Sequence, residues 1–375
     1  MIYLDNAATS FPKPESVYRE AERVMRECGG NPGRGSHALA LAAAEEIYRC
    51  REAVAELFGG DPERVVLTPN ATAALNLTLK GMLRPGDHVL TSALAHNSVR
   101  RPLYDLKRQG VSVEEYPVFP RGESVAAVIG RMIRPNTRAV EVTLRSNIVS
   151  VGLPIGEIAA LCKRRGILLI VDASQAAGTV ALSIRDLGRA VICAPGHKGL
   201  YGLLGSGFAL FSKEIDAKEV MPLLSGGSGV RSMESEMPDV FPDRLEAGTM
   251  NAPAAASLRA GIEAVQEMGI AEIADRERML RRRTVAILGG MRRVQIYLPQ
   301  ADEGGILLFH LHGKSAAEVG EHLNRCGIAV RTGLHCAPEA HRLLGTPEGG
   351  AVRVSFGAYN TEADVIALCR AVREM

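Results

Sequence analysis

The chain has 375 residues, 46% of them hydrophobic, enough to bury about three quarters of its unfolded surface, which excludes intrinsic disorder and a miniprotein stapled by disulfides. Its 44 Lys plus Arg against 42 Asp plus Glu leave a net charge of +2, too weak a field to argue for nucleic acid or an anionic membrane as partner. No apolar stretch reaches the roughly 18 residues of a membrane span, and Met1-Ile2-Tyr3-Leu4-Asp5 lacks the basic and apolar parts of a signal peptide, so a cytoplasmic protein is expected.

The first β-rich runs are Val65-Val66-Leu67, His88-Val89-Leu90 and Ala139 to Thr143. Residues 154–165 predict a helix: Pro154 opens it, Ile155, Ile158, Ala159 and Cys162 recur at helical spacing, and Gly166 stops it. Ile167 to Val171, Ala190 to Cys193 and Phe208 to Phe211 continue the series. Such alternation predicts an α/β fold, a mostly parallel sheet with helices on both faces. The Gly- and Pro-rich stretch from Ser225 to Pro242 is too long for an ordinary loop and is expected to be mobile or part of an interface. From residue 252 the texture changes to long helical patterns, 252–268 and 271–288, with Arg281-Arg282-Arg283 expected on a solvated face. A strand-helix-strand stretch over about 304–356 then predicts a smaller α+β domain. The last helix is expected to start at Thr361, with Asp364 as capping partner.

Seven cysteines without a C-x-x-C pair give neither a disulfide framework nor a zinc-ribbon spacing. Cys162, Cys326 and Cys369 sit in helical patterns where a small apolar residue would serve as well.

In an open parallel sheet, ligands bind beyond the carboxyl ends of the strands. There the sequence places Ala71-Thr72 at a helix start, His96, Asn147, Asp172 with Gln175, and His197-Lys198. A hydroxyl at a helix N-terminus, an imidazole, an amide, a carboxylate and an amine at one edge suit pyridoxal 5'-phosphate. That cofactor needs a lysine for its Schiff base, an acid to keep its ring nitrogen protonated, and a cradle of amides and hydroxyls for its phosphate. Lys198, Asp172 and Ala71-Thr72 fit those roles. Singly each has a plainer reading: an Asp at a strand end caps helices, a Lys after Gly-His is a surface charge, and a lone His is a structural group. Their convergence on one sheet edge is what points to a site.

Further on, alternation in Val352 to Phe356 puts Arg353 and Ser355 on the face opposite Val352, Val354 and Phe356. Arg353 could fork a carboxylate or simply lie at the surface. Cys336, between His335 and Ala337, is a candidate nucleophile where cations favour its thiolate. Cys336, His335 and His341 also resemble part of a metal-ligand set, but no second half with zinc spacing is visible, so no metal is expected.

The motifs Tyr3 to Thr9, Asn31 to His37, Asn70-Ala71-Thr72, His96-Asn97-Ser98, Asp172 to Gln175, Gly196-His197-Lys198, Glu246 to Thr249 and Arg331 to Ala337 together resemble the class V aminotransferase family of fold-type I pyridoxal-phosphate enzymes. Within it they resemble the cysteine desulfurases and selenocysteine lyases with a compact cysteine loop. The resemblance implies an N-terminal segment over 1–15 associated with the small domain and the active site. A large cofactor-binding domain over 16–251, built on a mostly parallel seven-stranded sheet, and a small C-terminal domain over 252–375 follow from it too. It implies that Lys198 carries the Schiff base, Asp172 pairs with the ring nitrogen, His96 stacks on the ring as a catalytic residue, and Gln175 and Asn147 contact the ring oxygen or substrate. Ala71, Thr72 and His197 would bind the phosphate, joined by Thr249 from a second subunit of a homodimer with shared sites. Arg353 would clamp the substrate carboxylate, with Asn6, His37 and Arg331 nearby, and Cys336 would accept the sulfur of L-cysteine as a persulfide for an acceptor protein.

Some positions depart from the family pattern. Pro195 stands where relatives carry a Ser or Thr that donates to the phosphate, which predicts weaker cofactor retention. Leu144-Arg145, Ser150, Leu203-Leu204, Ala73 and Ala95 also differ. Cysteine desulfuration is the leading expectation. Selenocysteine lyase, a β-lyase or transaminase that does not use Cys336, and an inactive cofactor-binding scaffold are the alternatives.

Overall fold

The computed structural model describes every residue except 34, 231 and 232, so Arg34 of the Asn31 to His37 motif and two residues of the 225–242 stretch lie outside the described residues. In chain order the first elements are β1 (Ile2–Tyr3), α1 (Glu15–Glu27), α2 (Ala38–Leu57), β2 (Val65–Thr68), α3 (Ala71–Met82), β3 (His88–Ser92), α4 (Asn97–Arg108), β4 (Ser112–Tyr116) and α5 (Val125–Met132). Next come β5 (Thr137–Thr143), α6 (Ile155–Arg165), β6 (Leu168–Asp172), β7 (Ala190–Pro195), β8 (Gly207–Phe211), α7 (Ala252–Met268) and α8 (Ile270–Leu288). The chain ends with β9 (Val294–Tyr297), β10 (Ile306–Leu311), α9 (Ala316–Arg325), β11 (Ile328–Ala329), β12 (Arg331–Gly333), α10 (Pro338–Leu344), β13 (Ala351–Ser355) and α11 (Glu362–Arg373).

The large sheet has seven strands in the order β2-β8-β7-β6-β5-β3-β4, and only β8 runs antiparallel to its neighbours. Its central strands are continuous apolar runs, such as Leu168 to Val171 in β6, because helices cover both faces. Sequence patterning misses β4: as an edge strand it carries Ser112, Glu114 and Glu115 among its five residues and buries only Tyr116. A four-stranded antiparallel sheet, β12-β13-β10-β9, carries Val352 and Val354 into a second core with α8, α9 and α11. The two-residue β1 pairs in parallel with β11 and ties the chain's start to this smaller part. The fold is thus α/β, with a smaller C-terminal α+β part.

Helix α6 ends as its sequence predicts, with Gly166 in the left-handed region at φ 66°. At the start of α11 the Thr361 amide donates to Asp364 Oδ2 at 2.9 Å. Helix α7 packs against α1 and α2, on the side of the large sheet. The expectation of a wholly solvated Arg281 to Arg283 run is corrected: Arg281 is 1% exposed, donating from Nε to Ile306 O at 2.9 Å and from Nη2 to Leu298 O at 3.0 Å. These carbonyls at strand and loop ends offer a buried guanidinium the acceptors it needs, while Arg282 and Arg283 are exposed. Cys162 and Cys369 are buried, whereas Cys326 is exposed at the end of α9. No helix among the described residues is long and apolar enough to cross a membrane.

Candidate active site

The carboxyl ends of the parallel strands open into a cavity of about 200 Å³. Helix α3 points its N-terminus at it: the Asn70 side chain caps Ala73 N at 2.9 Å, and Ala71 and Thr72 of the first turn line the cavity. Their amides have no intrahelical acceptor and face the site with the positive end of the helix dipole. A side chain at Gly207 of β8 would come within 2.9 Å of the Asn70 carbonyl carbon, so glycine there permits the sheet to approach this helix start.

His96 follows β3 as N-cap of α4. Its Nδ1 accepts from Ser98 N at 3.1 Å, which leaves the neutral ring's proton on Nε2. Ser98 Oγ also meets His96 Nδ1 at 2.9 Å and Thr72 Oγ1 at 2.7 Å, joining two candidate residues through one that sequence reasoning missed. Burial pushes His96 down to about 4, so it is neutral at physiological pH.

Asp172 ends β6, nearly fully buried, with Oδ1 accepting from Ser174 N at 2.9 Å. Lys198 follows β7 and lines the same cavity. Burial lowers its amine to about 8, partly opposed by Asp172 and reinforced by Arg353 and Arg331. Gln175 donates to Ala7 O at 2.9 Å, fixing the N-terminal segment against the site. His197 is likewise pushed down to about 4 by burial and then by Lys198 and Lys13.

The smaller part contributes Arg331, His335, Cys336 and Arg353 to the cavity wall. His335 and Cys336 are consecutive left-handed residues, φ 51° and 56°, a conformation that costs of order 1–3 kcal/mol for each non-glycine residue and needs outside support. Support comes from Asn147 Nδ2, which donates to His335 O at 2.8 Å, and from Asn97 N, which donates to Cys336 O at 2.8 Å. Behind them His335 Nδ1 meets His341 Nε2 at 3.0 Å, and His341 Nδ1 meets Thr346 Oγ1 at 2.9 Å. His335 Nε2 lies 3.3 Å from the Arg331 carbonyl, which can only accept. Every proton in this row is therefore fixed in direction, from Thr346 through both imidazoles. Cys336 itself is exposed and lines the cavity.

Arg353 is fully buried, with Nη2 on Asp5 Oδ1 at 2.7 Å and Nη1 on Asn147 O at 2.9 Å. Asp5, 348 residues away in sequence, carried no signal of this pairing. Other expected residues lie elsewhere. Asn6 donates to Ser355 O and Asn360 Oδ1, both at 3.1 Å, and borders a smaller adjoining chamber shared with Lys198 and Gln175. His37 caps α2 through Ala40 N at 3.4 Å. Thr249, accepting from Asn31 Nδ2 at 3.3 Å, borders a separate apolar groove of about 340 Å³. Neither is among the residues that line the cavity. Arg145 and Thr143 line it without having been expected there.

Among the described residues, three that line the cavity carry a buried polar atom without a hydrogen-bond partner: Asn147 Oδ1, His197 Nδ1 and Arg353 Nε. Orphaned polar atoms around one cavity mark where a polar ligand belongs. With a carboxylate, a poised amine and a helix N-terminus beside them, they fit a phosphorylated aromatic aldehyde.

The family described as aminotransferase class-V matches residues 2–368. A probable cysteine desulfurase from Methanothermobacter thermautotrophicus is 31% identical over 379 residues, spanning 100% of this chain and 94% of its own. A cysteine desulfurase from Yersinia pestis is 29% identical, spanning 97% and 91%. Among solved structures, the apo cysteine desulfurase from Thermococcus onnurineus superposes with a TM-score of 0.90 at 29% identity, over 100% of this chain and 94% of that one.

Proposed function

We propose, since the chain belongs to the class V aminotransferase family of fold-type I pyridoxal-phosphate enzymes, that it is a cysteine desulfurase. It would convert L-cysteine to L-alanine and take the sulfur onto Cys336 as a persulfide. The observation that carries this reading is the meeting of Lys198, Asp172 and Cys336 on one cavity, with Arg331 and Arg353 beside them. Pyridoxal 5'-phosphate, when bound, supplies an aldehyde that condenses with amines and a protonated ring that withdraws electrons from the substrate's Cα.

Lys198, with its amine lowered to about 8, is partly neutral near physiological pH, the form in which it would hold the cofactor's aldehyde and serve as base for the substrate's Cα proton. Asp172 would hold the proton on the cofactor's ring nitrogen, and His96 would face the ring. Ala71, Thr72 and His197 receive the phosphate, with the orphaned His197 Nδ1 as one contact. The orphaned Nε of Arg353 and the half-buried Arg331 are the cations for the substrate carboxylate. The Cys336 sulfur attacks the substrate sulfur: an S–S bond forms, the Cβ–S bond breaks, and a proton replaces sulfur at Cβ. A thiol and cysteine thus become a persulfide and alanine, with no outside oxidant. A loop pinned in this way would hold the Cys336 thiol for the near-contact attack.

Two further proposals complete the reading. The chain acts as a homodimer, supported by the place of Thr249 on a separate groove rather than on its own chain's cavity wall and by the exposed Leu224 on that apolar groove. The persulfide passes to an acceptor protein, in the cytoplasm. The visible spectrum with pyridoxal phosphate, before and after L-cysteine or L-selenocysteine, tests the reading. A band absent in Lys198→Ala and alanine from cysteine are the expected results. Alanine from selenocysteine alone would make the chain a lyase for that amino acid, and a band with no alanine would make it a scaffold.

A further inference from the structure

Glu141 lies on β5 in the middle of the parallel sheet and is fully buried. Thr91 of β3 donates its hydroxyl to Oε2 at 2.6 Å and Thr143 donates to Oε1 at 3.1 Å. Thr143 is the cross-strand neighbour of Asp172 and lines the cavity. Residues two apart on a strand share a face, and so do register neighbours on parallel strands. The carboxyl of Glu141 therefore sits one layer beneath that of Asp172, on the same side of the sheet.

Charged and titratable groups face it from each neighbouring element. Asp172 approaches from β6, and Arg100 of α4 acts at longer range while pairing with Glu115 at 2.8 Å. Tyr116 of β4 donates its hydroxyl to the Glu141 backbone oxygen at 3.0 Å, and Cys193 of β7 flanks Asp172 from the other side. Burial holds Cys193 up at about 12, so it stays a neutral thiol. None of these neighbours is a cation bonded to Glu141, and a buried carboxylate without such a partner takes a proton instead.

We propose that Glu141 is a positioning carboxyl that acts through Asp172. Protonated, it leaves the charge facing the cofactor ring to Asp172 alone. Ionised, it would put a second negative charge behind Asp172 and so tighten the hold of the cofactor's ring nitrogen on its proton. The proton Glu141 loses goes to solvent. Burial pushes its carboxyl up to about 8, with Asp172 adding to the rise and the Thr91 hydroxyl opposing it. The change of state thus falls within the working range of an enzyme. This inference rests on the pyridoxal-phosphate reading of the cavity.

Glu141→Gln preserves shape and fixes the neutral form. Cofactor affinity of wild type and variant is read from the visible band across about pH 6 to about pH 9.5. Lys198 titrates in both proteins, so the wild-type to variant ratio of affinities isolates Glu141. The ratio is expected to be flat below about pH 7 and to rise several-fold, toward tenfold, above about pH 8, tenfold being what one pKa unit of coupling gives. Thr91→Val, which removes a donor to the ionised form, should move that step to higher pH. A band with a ratio that is flat throughout, or a step that Thr91→Val leaves in place, overturns the role of Glu141 and leaves the cofactor reading standing. No band at any pH overturns both.

Discussion

Burial sets the Lys198 amine at about 8, far below a free lysine, and this decides when the residue can work. Only the neutral amine adds to an aldehyde. The rate at which apoprotein captures pyridoxal phosphate should therefore rise about tenfold per pH unit and level off above about pH 8. Rapid-mixing absorbance checks this, and a rate that keeps rising to about pH 10 would contradict it. Pro195 acts in the opposite sense. It lines the cavity beside His197 but has no N–H to offer a phosphate. Pro195→Ser restores a donor and should tighten cofactor binding by about tenfold, the worth of a hydrogen bond to a charged group. Equilibrium dialysis of the two proteins reads the difference. At this scale the sequence was informative wherever a chemical group follows a strand directly, as Asp172 and Lys198 do. It was silent on which side chains pair: Asp5 with Arg353 from 348 residues away, or Ser98 with both Thr72 and His96.

The loop between β12 and α10 is the element on which the proposed sulfur transfer would turn. Its two left-handed residues are held by Asn97 and Asn147 from the large sheet and by His341 from behind. His341→Ala removes the last of these and leaves the His335 nitrogen without its donor. Persulfide formation in a single turnover should fall about tenfold, corresponding to one lost buried hydrogen bond, while the visible band is unchanged. An unchanged rate would show that the two asparagines suffice. The left-handed pair was not legible in sequence, because neither His nor Cys advertises positive φ as glycine does. Helix α6, with Pro and Gly at its ends, was legible for the converse reason. Strand β4 and Arg281 were missed because an edge strand needs few apolar residues and because strand-end carbonyls can satisfy a buried guanidinium.

For the whole molecule, the site is a seam. The large sheet brings the amine, the carboxylate and the helix start proposed to receive phosphate, while the smaller part brings Cys336, Arg331 and Arg353. Alternating strand and helix patterns foretold the first sheet. The second sheet's place over the first depends on contacts, such as Asn97 with Cys336, that no spacing encodes. The apolar groove beside Thr249 belongs to the same scale. Leu224 is 68% exposed there, so in the proposed homodimer Leu224→Glu should shift sedimentation toward the monomer and, by removing the Thr249 that a second subunit would supply, weaken cofactor retention. A wild-type chain that sediments as a monomer would contradict the shared site.

The most direct test is a single turnover of the cofactor-loaded protein with one equivalent of L-cysteine per chain, followed by quantification of alanine and mass analysis of the Cys336 peptide. One alanine per site is expected, with the Cys336 peptide one sulfur atom heavier and that gain absent in Cys336→Ala. Alanine formed in full with Cys336 unmodified, or formed equally well by Cys336→Ala, would contradict it.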